Sequence, residues 1–170
     1  MQKESELKDN QNELFIVVDK KDRIIGYRTR YDCHHDKRLI HRAAGIVIFN
    51  KQGQILLQKR SKFKDLNPGM YTISASGHVS KGDTYKKAAL RELQEELGIQ
   101  IPLKRVRKFL AKSHQETEMD CLFSGKYDGP FYPVEDEVEK VEFVDISNLP
   151  QMISKLTPFA ILSLKELNLL

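Results

Sequence analysis

The sequence has few of the features that mark secreted, membrane-spanning or nucleic-acid-binding proteins. Its only two cysteines, Cys33 and Cys121, form neither a CxxC pair nor a disulfide framework, so a reducing, cytoplasmic environment is expected. No apolar run approaches the roughly 18 residues of a membrane-spanning helix, and the first residues do not resemble a secretory signal. Basic residues are scattered rather than interleaved with aromatic ones, so neither a membrane nor a specific nucleic-acid partner is predicted.

What remains is the composition of a soluble globular domain. Of the 170 residues, 40% are hydrophobic and 31% are charged, which provides enough apolar material for one buried core. Residues 1–12 are polar and are predicted to form a flexible tail, so the single domain is predicted to span 13–170. The formal net charge of +4 suits a small anionic substrate.

The apolar pattern predicts strands mixed with helices. Two short apolar runs, 14–18 and 23–27, predict an N-terminal β-hairpin, and the polar segment 28–37 is predicted to be irregular. Further strands are predicted at 41–49, 55–58, 71–75, 103–110, 119–123 and 138–144. Helices are predicted between residues 84 and 98 and over 158–169. This mixture indicates an α/β fold, an α/β/α sandwich on a mixed β-sheet.

The stretch from residue 77 to residue 99 organises the rest of the prediction. Asp83 and Thr84 both suit a helix N-cap, and Gly98 suits the left-handed position that ends a helix. Between them, apolar residues recur every fourth position from Ala89 to Leu97, which predicts a stripe facing a core.

Three glutamates, Glu92, Glu95 and Glu96, gather on a different face of the same helix. Like charges at this spacing cost about 0.2–0.5 kcal/mol per adjacent pair, and a divalent cation would remove that cost. Mg²⁺ prefers oxygen ligands, usually a few carboxylates together with water and substrate phosphates. Spacing alone leaves two interpretations open, a metal site or a solvated acidic face with Arg91 as a partner.

This stretch resembles the signature of the Nudix hydrolases, which reads Gly, five residues, Glu, seven residues, Arg-Glu, an aliphatic residue, any residue, Glu-Glu, any residue, Gly and an aliphatic residue. The chain supplies Gly77, Asp83, Arg91-Glu92-Leu93, Glu95-Glu96 and Gly98-Ile99. Each position matches in kind except Asp83, which is one methylene shorter than glutamate. The resemblance implies a Nudix-type sandwich. It also implies hydrolysis of a nucleoside diphosphate derivative or a related organic diphosphate, by metal-assisted attack of water on phosphorus.

The resemblance also implies roles for individual residues. Mg²⁺, or Mn²⁺ in its place, would be bound by Glu92, Glu95, Glu96 and the carbonyl oxygen of Ser76. Arg91 would orient a glutamate through an ion pair, and Glu92 or a loop carboxylate would be the base. The predicted substrate contacts are Gly77, His78 and Arg60. By resemblance alone, a homodimer is also compatible with this sequence.

Asp83 admits two interpretations. It can cap the helix, as Asp does well, or it can tie the preceding loop to Arg91 and the metal site, as the family's glutamate does. In the second case its shorter side chain is expected to reach Arg91 through a water molecule.

A second resemblance extends upstream of the glutamate helix. Residues 15–99 are similar to the isopentenyl-diphosphate isomerase branch of the superfamily, in the runs VVDKKDRIIGYRTR, HHDKRLIHRA, LLQKRS and NPGMYTISASGHV. Isomerases of this type bind a metal through histidines spaced like His34 and His41 and through the histidine of a Cys-Gly-His element, which here reads Ser76-Gly77-His78. The alternative for these histidines is structural, with His41 bonded to a neighbouring loop and His34 in solvent.

Two departures favour hydrolysis over isomerisation. Ser76 stands where the isomerases have the cysteine that moves a proton at carbon, and the pKa of a serine hydroxyl is far too high for this task without an activating base. Isomerases also tend to lose the Arg-Glu and Glu-Glu pairs, which this chain keeps. We therefore predict a diphosphate hydrolase, with an isomerase-like enzyme and a non-catalytic nucleotide-binding relative as the alternatives.

Carboxylates of later loops complete the predicted site. Glu116 and Glu118 lie in the run ETEMD, at an isomerase-like acidic position, and are preferred over Asp120, Glu135, Asp136 and Glu137 as the additional base or ligand. The predicted catalytic residues are Glu92, Glu95, Arg91, Glu116 and Glu118. Segments 61–70, 112–118 and 127–135 are expected to select the substrate.

Overall fold

A computed structural model describes residues 9–170 of the chain, which fold around one mixed sheet. In chain order its strands are β1 (Leu14–Val18), β2 (Ile24–Thr29), β3 (Ile40–Phe49), β4 (Ile55–Arg60), β5 (Tyr71–Thr72), β6 (Ala75–His78), β7 (Lys104–Lys112), β8 (Thr117–Lys126) and β9 (Val138–Val144). The helices are α1 (Arg30–His35), α2 (Tyr85–Leu97), a 3-10 helix (Ile146–Lys155) and α3 (Pro158–Glu166). The predicted α/β fold with a mixed sheet is confirmed.

Strand β3 lies at the centre of the sheet, because its long apolar run can be buried on both faces. It runs parallel to β8 along its full length. It also pairs antiparallel with β1 near its start, with β6 in its middle and with β4 at its end. This register places His41 beside Glu118 and Ala44 beside Gly77, so residues far apart in the sequence meet at one part of the sheet.

Helix α2 packs on one face of the sheet and presents its glutamates beside β6. The hydroxyl of Thr84 accepts a backbone N–H three residues further on and so caps the helix, which ends at Gly98 with a φ of 65°. The apolar stripe from Ala89 to Leu97 is fully buried. Of the two candidates for the N-cap, the structure selects Thr84, so Asp83 is free for another role.

The C-terminal elements cover another part of the core. The apolar residues packed there are Val47, Ile55, Leu57, Ile73, Leu122, Leu149, Leu156, Ala160 and Leu164. A smaller cluster of Phe15, Val17 and Cys33 lies at the start of the sheet, with Leu39 packed against it. This small cluster supports the histidines described below.

Two elements differ in kind from the sequence prediction, and the limits of several others shift by one to three residues. Segment 28–37 was predicted to be irregular, which is wrong, because α1 forms there with Thr29 as its cap. Six residues are too few to show a helical period. The strand predicted at 71–75 is divided into β5 and β6, which pair with β4 and β3 respectively.

The predicted tail, 1–12, is only partly covered by the structure, since its residues 1–8 lie outside the described residues. Within the remainder, Asp9 forms ion pairs with Arg30 and Lys64. In the described part of the chain, no helix combines the length and the apolar character needed to span a membrane.

Candidate active site

A cavity of about 450 Å³ lies where the glutamates of α2 meet β6 and the surrounding loops. The residues predicted for the diphosphate site all line it, namely Arg60, Ser76, Gly77, His78, Arg91, Glu92, Glu95, Glu96, Glu116 and Glu118, whereas His34 and His41 are not among its lining residues. The fold therefore brings the glutamate helix, the Ser-Gly-His element and the ETEMD run together in one space.

Glu92 packs directly against the backbone of Gly77. A β-carbon built on Gly77 would overlap the carboxyl group of Glu92, so glycine is required here for close approach. Burial, followed by the nearby carboxylate of Glu96, raises the pKa of Glu92 well above its ordinary value, although Arg91 opposes this. Arg91 Nη1 donates a hydrogen bond to Glu92 Oε1 at 2.6 Å. A carboxyl group held in this way is suited to accept a proton or bind a cation.

Glu96 is buried, and one of its carboxylate oxygens accepts two hydrogen bonds from the protein. Its Oε2 accepts hydrogen bonds from Gln58 Nε2 at 2.8 Å and from the backbone N–H of Ser76 at 3.0 Å. Burial raises the pKa of Glu96 to about 7, against the lowering effect of these two donors. The contribution of Ser76 seen here is its N–H, while the metal-binding role of its carbonyl oxygen stays a prediction.

Arg91 ties the helix to the loop that precedes it. Its Nη2 donates to the carbonyl oxygen of His78 at 3.1 Å and lies 3.4 Å from Asp83 Oδ2. Asp83 therefore reaches Arg91 directly, and the expectation of an intervening water is wrong. Arg91 Nη1 also lies 3.4 Å from Glu95 Oε2, on a side chain that is 56% exposed. Glu95 is thus the glutamate of the three most open to solvent and substrate.

A second group of metal-ligating side chains, which we call the histidine centre, lines or borders the same cavity. It consists of His34, His41, His78 and Glu116, whose ligand atoms lie within 4.8 Å of one another. His34 Nε2 and His41 Nε2 lie 3.1 and 3.3 Å from the same oxygen, Glu116 Oε2. Glu118 Oε1 completes the surroundings, 3.5 Å from His41 Nε2 and 3.4 Å from His78 Nε2.

The chemistry of the histidine centre fits a divalent transition metal. His41 Nε2 and Glu116 Oε2 are buried, yet neither makes a hydrogen bond of good geometry with any residue of 9–170. Buried polar atoms seldom lack such a partner, and a bound ion is one accepted explanation. Imidazole nitrogens combined with carboxylate oxygens suit Zn²⁺, Fe²⁺ or Mn²⁺ better than Mg²⁺.

Phe15 and Asp65 contact the histidines and help to fix their orientation. The fully buried ring of Phe15 stacks on His78 with a centroid distance of 4.2 Å and lies 5.5 Å from the ring of His41. Asp65 Oδ2 lies 3.6 Å from His34 Nδ1, the nitrogen opposite to the one that faces Glu116. A carboxylate behind a histidine favours the proton on the near nitrogen, which leaves Nε2 free as a ligand.

The pKa values of Glu116 and Glu118, at the histidine centre, are shifted in the opposite direction from those of the α2 glutamates Glu92 and Glu96. Burial opposes ionisation of Glu116, but the three histidines outweigh it and hold its pKa well below the ordinary value. The pKa of Glu118 is also lowered, because His41 and His78 outweigh burial and the repulsion of Glu116. Glu116 and Glu118 therefore remain anionic, whereas burial favours the protonated form of Glu92 and raises the pKa of Glu96 to about 7.

The histidine centre has an unusual neighbour in Asp120. Neither of its carboxylate oxygens has a hydrogen-bond partner among the residues that the structure describes, and its side chain is fully buried. Burial and then the charges of Glu118 and Glu116 raise the pKa of Asp120 well above its ordinary value. Burial and the neighbouring carboxylates therefore favour the neutral form of Asp120.

Basic side chains line another part of the cavity, each with acidic partners. Arg30 donates from Nε and Nη2 to the two carboxylate oxygens of Asp65, both at 3.1 Å. Lys64 Nζ donates to Asp9 Oδ1 at 2.7 Å and to Glu137 Oε2 at 2.6 Å. This part of the cavity has the positive groups that phosphate recognition requires, held by charge-assisted hydrogen bonds.

Sequence analysis did not identify several residues of this cavity. Arg30 and Lys64 were missed, since no local spacing connects them to the glutamate helix, and so was Gln58, which does not line the cavity but donates a hydrogen bond to Glu96. Among the later loop carboxylates, Glu137 lines the cavity, whereas Glu135 and Asp136 do not. Glu116 and Glu118 lie beside the histidines, and their role as an additional base or ligand stays a prediction.

Comparison with known proteins assigns the chain to a family. Residues 39–165 match the NUDIX domain. The isopentenyl-diphosphate Delta-isomerase 2 of Photorhabdus laumondii is 36% identical over 148 residues, which cover 84% of this chain and 83% of the relative. An uncharacterized Nudix hydrolase of Yersinia pestis is 32% identical over 154 residues, which cover 90% of this chain and 82% of the relative.

A solved structure shares the fold of this chain. The crystal structure of DR0079 from Deinococcus radiodurans superposes with a TM-score of 0.80 at 22% identity, covering 91% of this chain and 99% of that one. Since the family match spans most of the sequence and includes the glutamate helix, the chain belongs to the Nudix superfamily, on its isopentenyl-diphosphate isomerase-like branch.

Proposed function

We propose that this protein is a divalent-metal-dependent hydrolase of an organic diphosphate. The observation that carries the proposal is that one cavity keeps Arg91 and all three glutamates of α2, with Gly77 leaving room for Glu92. The residues that would hold Mg²⁺ are Glu92, Glu95 and Glu96, and those that would hold a second divalent ion are His34, His41, His78 and Glu116. When bound, such ions neutralise the diphosphate and stabilise the leaving oxygen.

The side chains of the cavity supply the remaining requirements. Arg30, Arg60 and Lys64 provide positive charge for the substrate phosphates. Glu92 also serves as the base in its ionised form, the form that binds a cation, and accepts the proton of the attacking water as the new phosphorus–oxygen bond forms and the bridging bond breaks. Arg91 orients Glu92 through their hydrogen bond. The products are two phosphate-bearing fragments, one of which carries the water oxygen.

An isomerase acting on a five-carbon diphosphate is the second candidate, because one specific observation favours it. The three histidines and Glu116 converge as the resemblance to isomerases implies, and several relatives are named isopentenyl-diphosphate isomerases. Ser76 argues against this candidate, since its hydroxyl lacks the acidity for proton transfer at carbon. Its N–H is also committed to Glu96.

Both candidates can be tested with one panel of substrates. Nucleotide sugars, dinucleotides and prenyl diphosphates are incubated with the protein and with Mg²⁺ or Mn²⁺, in water enriched in ¹⁸O. We expect metal-dependent cleavage that places ¹⁸O on a product phosphate. Glu92→Gln should reduce the rate by roughly 10²–10⁴-fold, the range typical of a lost acid–base group. Glu95→Gln should also reduce the rate, because it removes a proposed Mg²⁺ ligand.

Glu139→Gln is the matched control, because Glu139 is an exposed glutamate of β9 that pairs with Lys59 outside the cavity. Its rate should equal that of the unmodified protein. Isomerisation of a five-carbon diphosphate without phosphate release would contradict hydrolysis and support the second candidate. Full metal-dependent activity in Glu95→Gln would remove that residue from the mechanism.

A further inference from the structure

Gln58 is a buried polar residue of β4 in the run LLQKRS, and the sequence predicts no role for it. Its side chain is 1% exposed, and its Nε2 donates hydrogen bonds to Glu96 Oε2 at 2.8 Å and to the carbonyl oxygen of Ser74 at 3.2 Å. Burying an amide in a sheet costs folding free energy unless the amide is hydrogen-bonded. A glutamine at this buried position is therefore explained by the hydrogen bonds that it makes.

The two partners fix the orientation of the Gln58 amide. Both the Ser74 carbonyl oxygen and the Glu96 carboxylate oxygen are acceptors, so the NH₂ group must face them and the amide oxygen must face away. The same Oε2 of Glu96 also accepts the backbone N–H of Ser76. One donor from β4 and one from β6 therefore hold a single carboxylate oxygen in place.

We infer that Gln58 is a positioning residue that commits Glu96 Oε2 to the protein and so leaves Oε1 as the oxygen for Mg²⁺. This inference rests on the metal-binding role of Glu96 in the proposed function. Residues that orient metal ligands typically change metal affinity or activity by about 10–100-fold when they are replaced. Gln58 satisfies the geometric condition for such a residue, since it contacts a ligand and does not itself belong to the glutamate set.

The test is a direct measurement of Mg²⁺ binding, independent of any substrate. Gln58→Met keeps the length of the side chain and removes both donors, and Gln52→Met makes the same change at an exposed turn between β3 and β4. Mg²⁺ is titrated into each protein in a calorimeter, and thermal unfolding is recorded in EDTA and across the same Mg²⁺ range. We expect the Kd of Gln58→Met to rise by about 10–100-fold, and that of Gln52→Met to stay unchanged.

A role of Gln58 in packing alone would shift the unfolding midpoint in EDTA and leave the Kd for Mg²⁺ within twofold of the original, and that result would overturn the inference. If Gln58→Met does not fold, NMR of the unmodified protein decides instead. The side-chain NH₂ resonances of Gln58 should move with Mg²⁺ and reach half of their shift at the calorimetric Kd. Resonances that do not respond to saturating Mg²⁺ would also overturn it.

The measurement separates this inference from the proposed function. A protein that binds Mg²⁺ through a Gln58-dependent site but cleaves no diphosphate would support the inference and contradict hydrolysis. If the unmodified protein cleaves diphosphates and Gln58→Met binds Mg²⁺ with an unchanged Kd, hydrolysis is supported and the inference about Gln58 is contradicted. Absence of Mg²⁺ binding in the unmodified protein would contradict both.

Discussion

Asp9 Oδ1 lies 2.7 Å from Lys64 Nζ, so Asp9 forms an ion pair with a cationic side chain that lines the active-site cavity. Both side chains are largely buried, with 9% of Asp9 and 12% of Lys64 exposed. Asp9 Oδ2 also accepts the backbone N–H of Asp65 at 3.3 Å. An acidic side chain in this position competes with a phosphate group for Lys64.

We therefore predict that Asp9→Asn binds inorganic pyrophosphate more tightly. Loss of one negative charge beside Lys64 should lower the inhibition constant roughly three- to tenfold, as expected for about 1 kcal/mol of charge interaction. The constant is measured by competition against the best substrate of the panel. Asp32→Asn is the control, because Asp32 is exposed on α1 and does not line the cavity. Weaker pyrophosphate binding by Asp9→Asn would show instead that Asp9 holds Lys64 in its binding position.

The pairing of Asp9 with Lys64 illustrates what the sequence could not reveal. The two residues are 55 positions apart, and Asp9 lies in a polar stretch whose composition resembles a tail. Gln58 and Glu96 are 38 positions apart, and their contact depends on how β4 and α2 pack. Such contacts depend on the arrangement of whole elements, which no periodicity within one segment encodes.

Local chemistry, in contrast, made much of the fold and site predictable. The strand Val138–Val144 agrees with its predicted limits because apolar and charged residues alternate along it. The glutamate helix was predictable because its cap, its apolar stripe and its terminal glycine all lie within one short stretch. Helix α1 was missed because a six-residue helix with two histidines in its last turn has no apolar period.

The close approach of Gly77 to Glu92 leads to a second prediction. In Gly77→Ala the new methyl group should displace the Glu92 carboxyl group, lowering kcat by at least 10²-fold, since a misplacement of about 1 Å can cost this much. Overpacking should also lower the free energy of unfolding by about 1–3 kcal/mol. Steady-state kinetics at saturating Mg²⁺ and urea denaturation measure the two effects.

Gly53→Ala is the control for this substitution. A β-carbon on Gly53 meets no atom within 4 Å, although its φ of +80° makes alanine strained there. The Gly53→Ala variant should therefore have a lower free energy of unfolding and an unchanged kcat. Equal kcat values for Gly77→Ala and the unmodified protein would mean that the position of Glu92 does not limit catalysis.

The histidine centre gives a third prediction. His34→Ala should weaken the binding of Zn²⁺ or Mn²⁺ by at least tenfold, because one of four converging ligands is lost. His35→Ala is the matched control, since the neighbouring His35 is bonded to the carbonyl oxygen of Tyr31 and lies outside the centre. Metal content after dialysis and competition with a chelator measure the affinities. Equal affinities for the two variants would contradict a metal at this centre.

The raised pKa of Glu96 predicts how stability depends on pH when no metal is present. The pKa of Glu96 is about 7 in the folded protein, compared with an ordinary value of 4.5, so between these pH values the folded state binds more protons than the unfolded state. Its contribution to stability is therefore fully present below about pH 4.5 and is lost as the pH rises through 7. The raised pKa values of Glu92 and His41 act in the same direction, whereas the lowered pKa of Glu116 acts only at more acidic pH.

We expect the free energy of unfolding in EDTA to fall between pH 5.5 and pH 8, and this fall to be smaller in Glu96→Gln by roughly 2 kcal/mol, at about 1.4 kcal/mol per pH unit for one proton. Urea denaturation at the two pH values measures it, with Glu139→Gln as an exposed control that should keep the full fall. Mg²⁺ should restore stability more at pH 8 than at pH 5.5, because a cation then occupies the place of a proton among the glutamates. An unchanged fall in Glu96→Gln would mean that Glu96 is already ionised in the folded protein at pH 5.5, and that its buried charge is balanced without a metal.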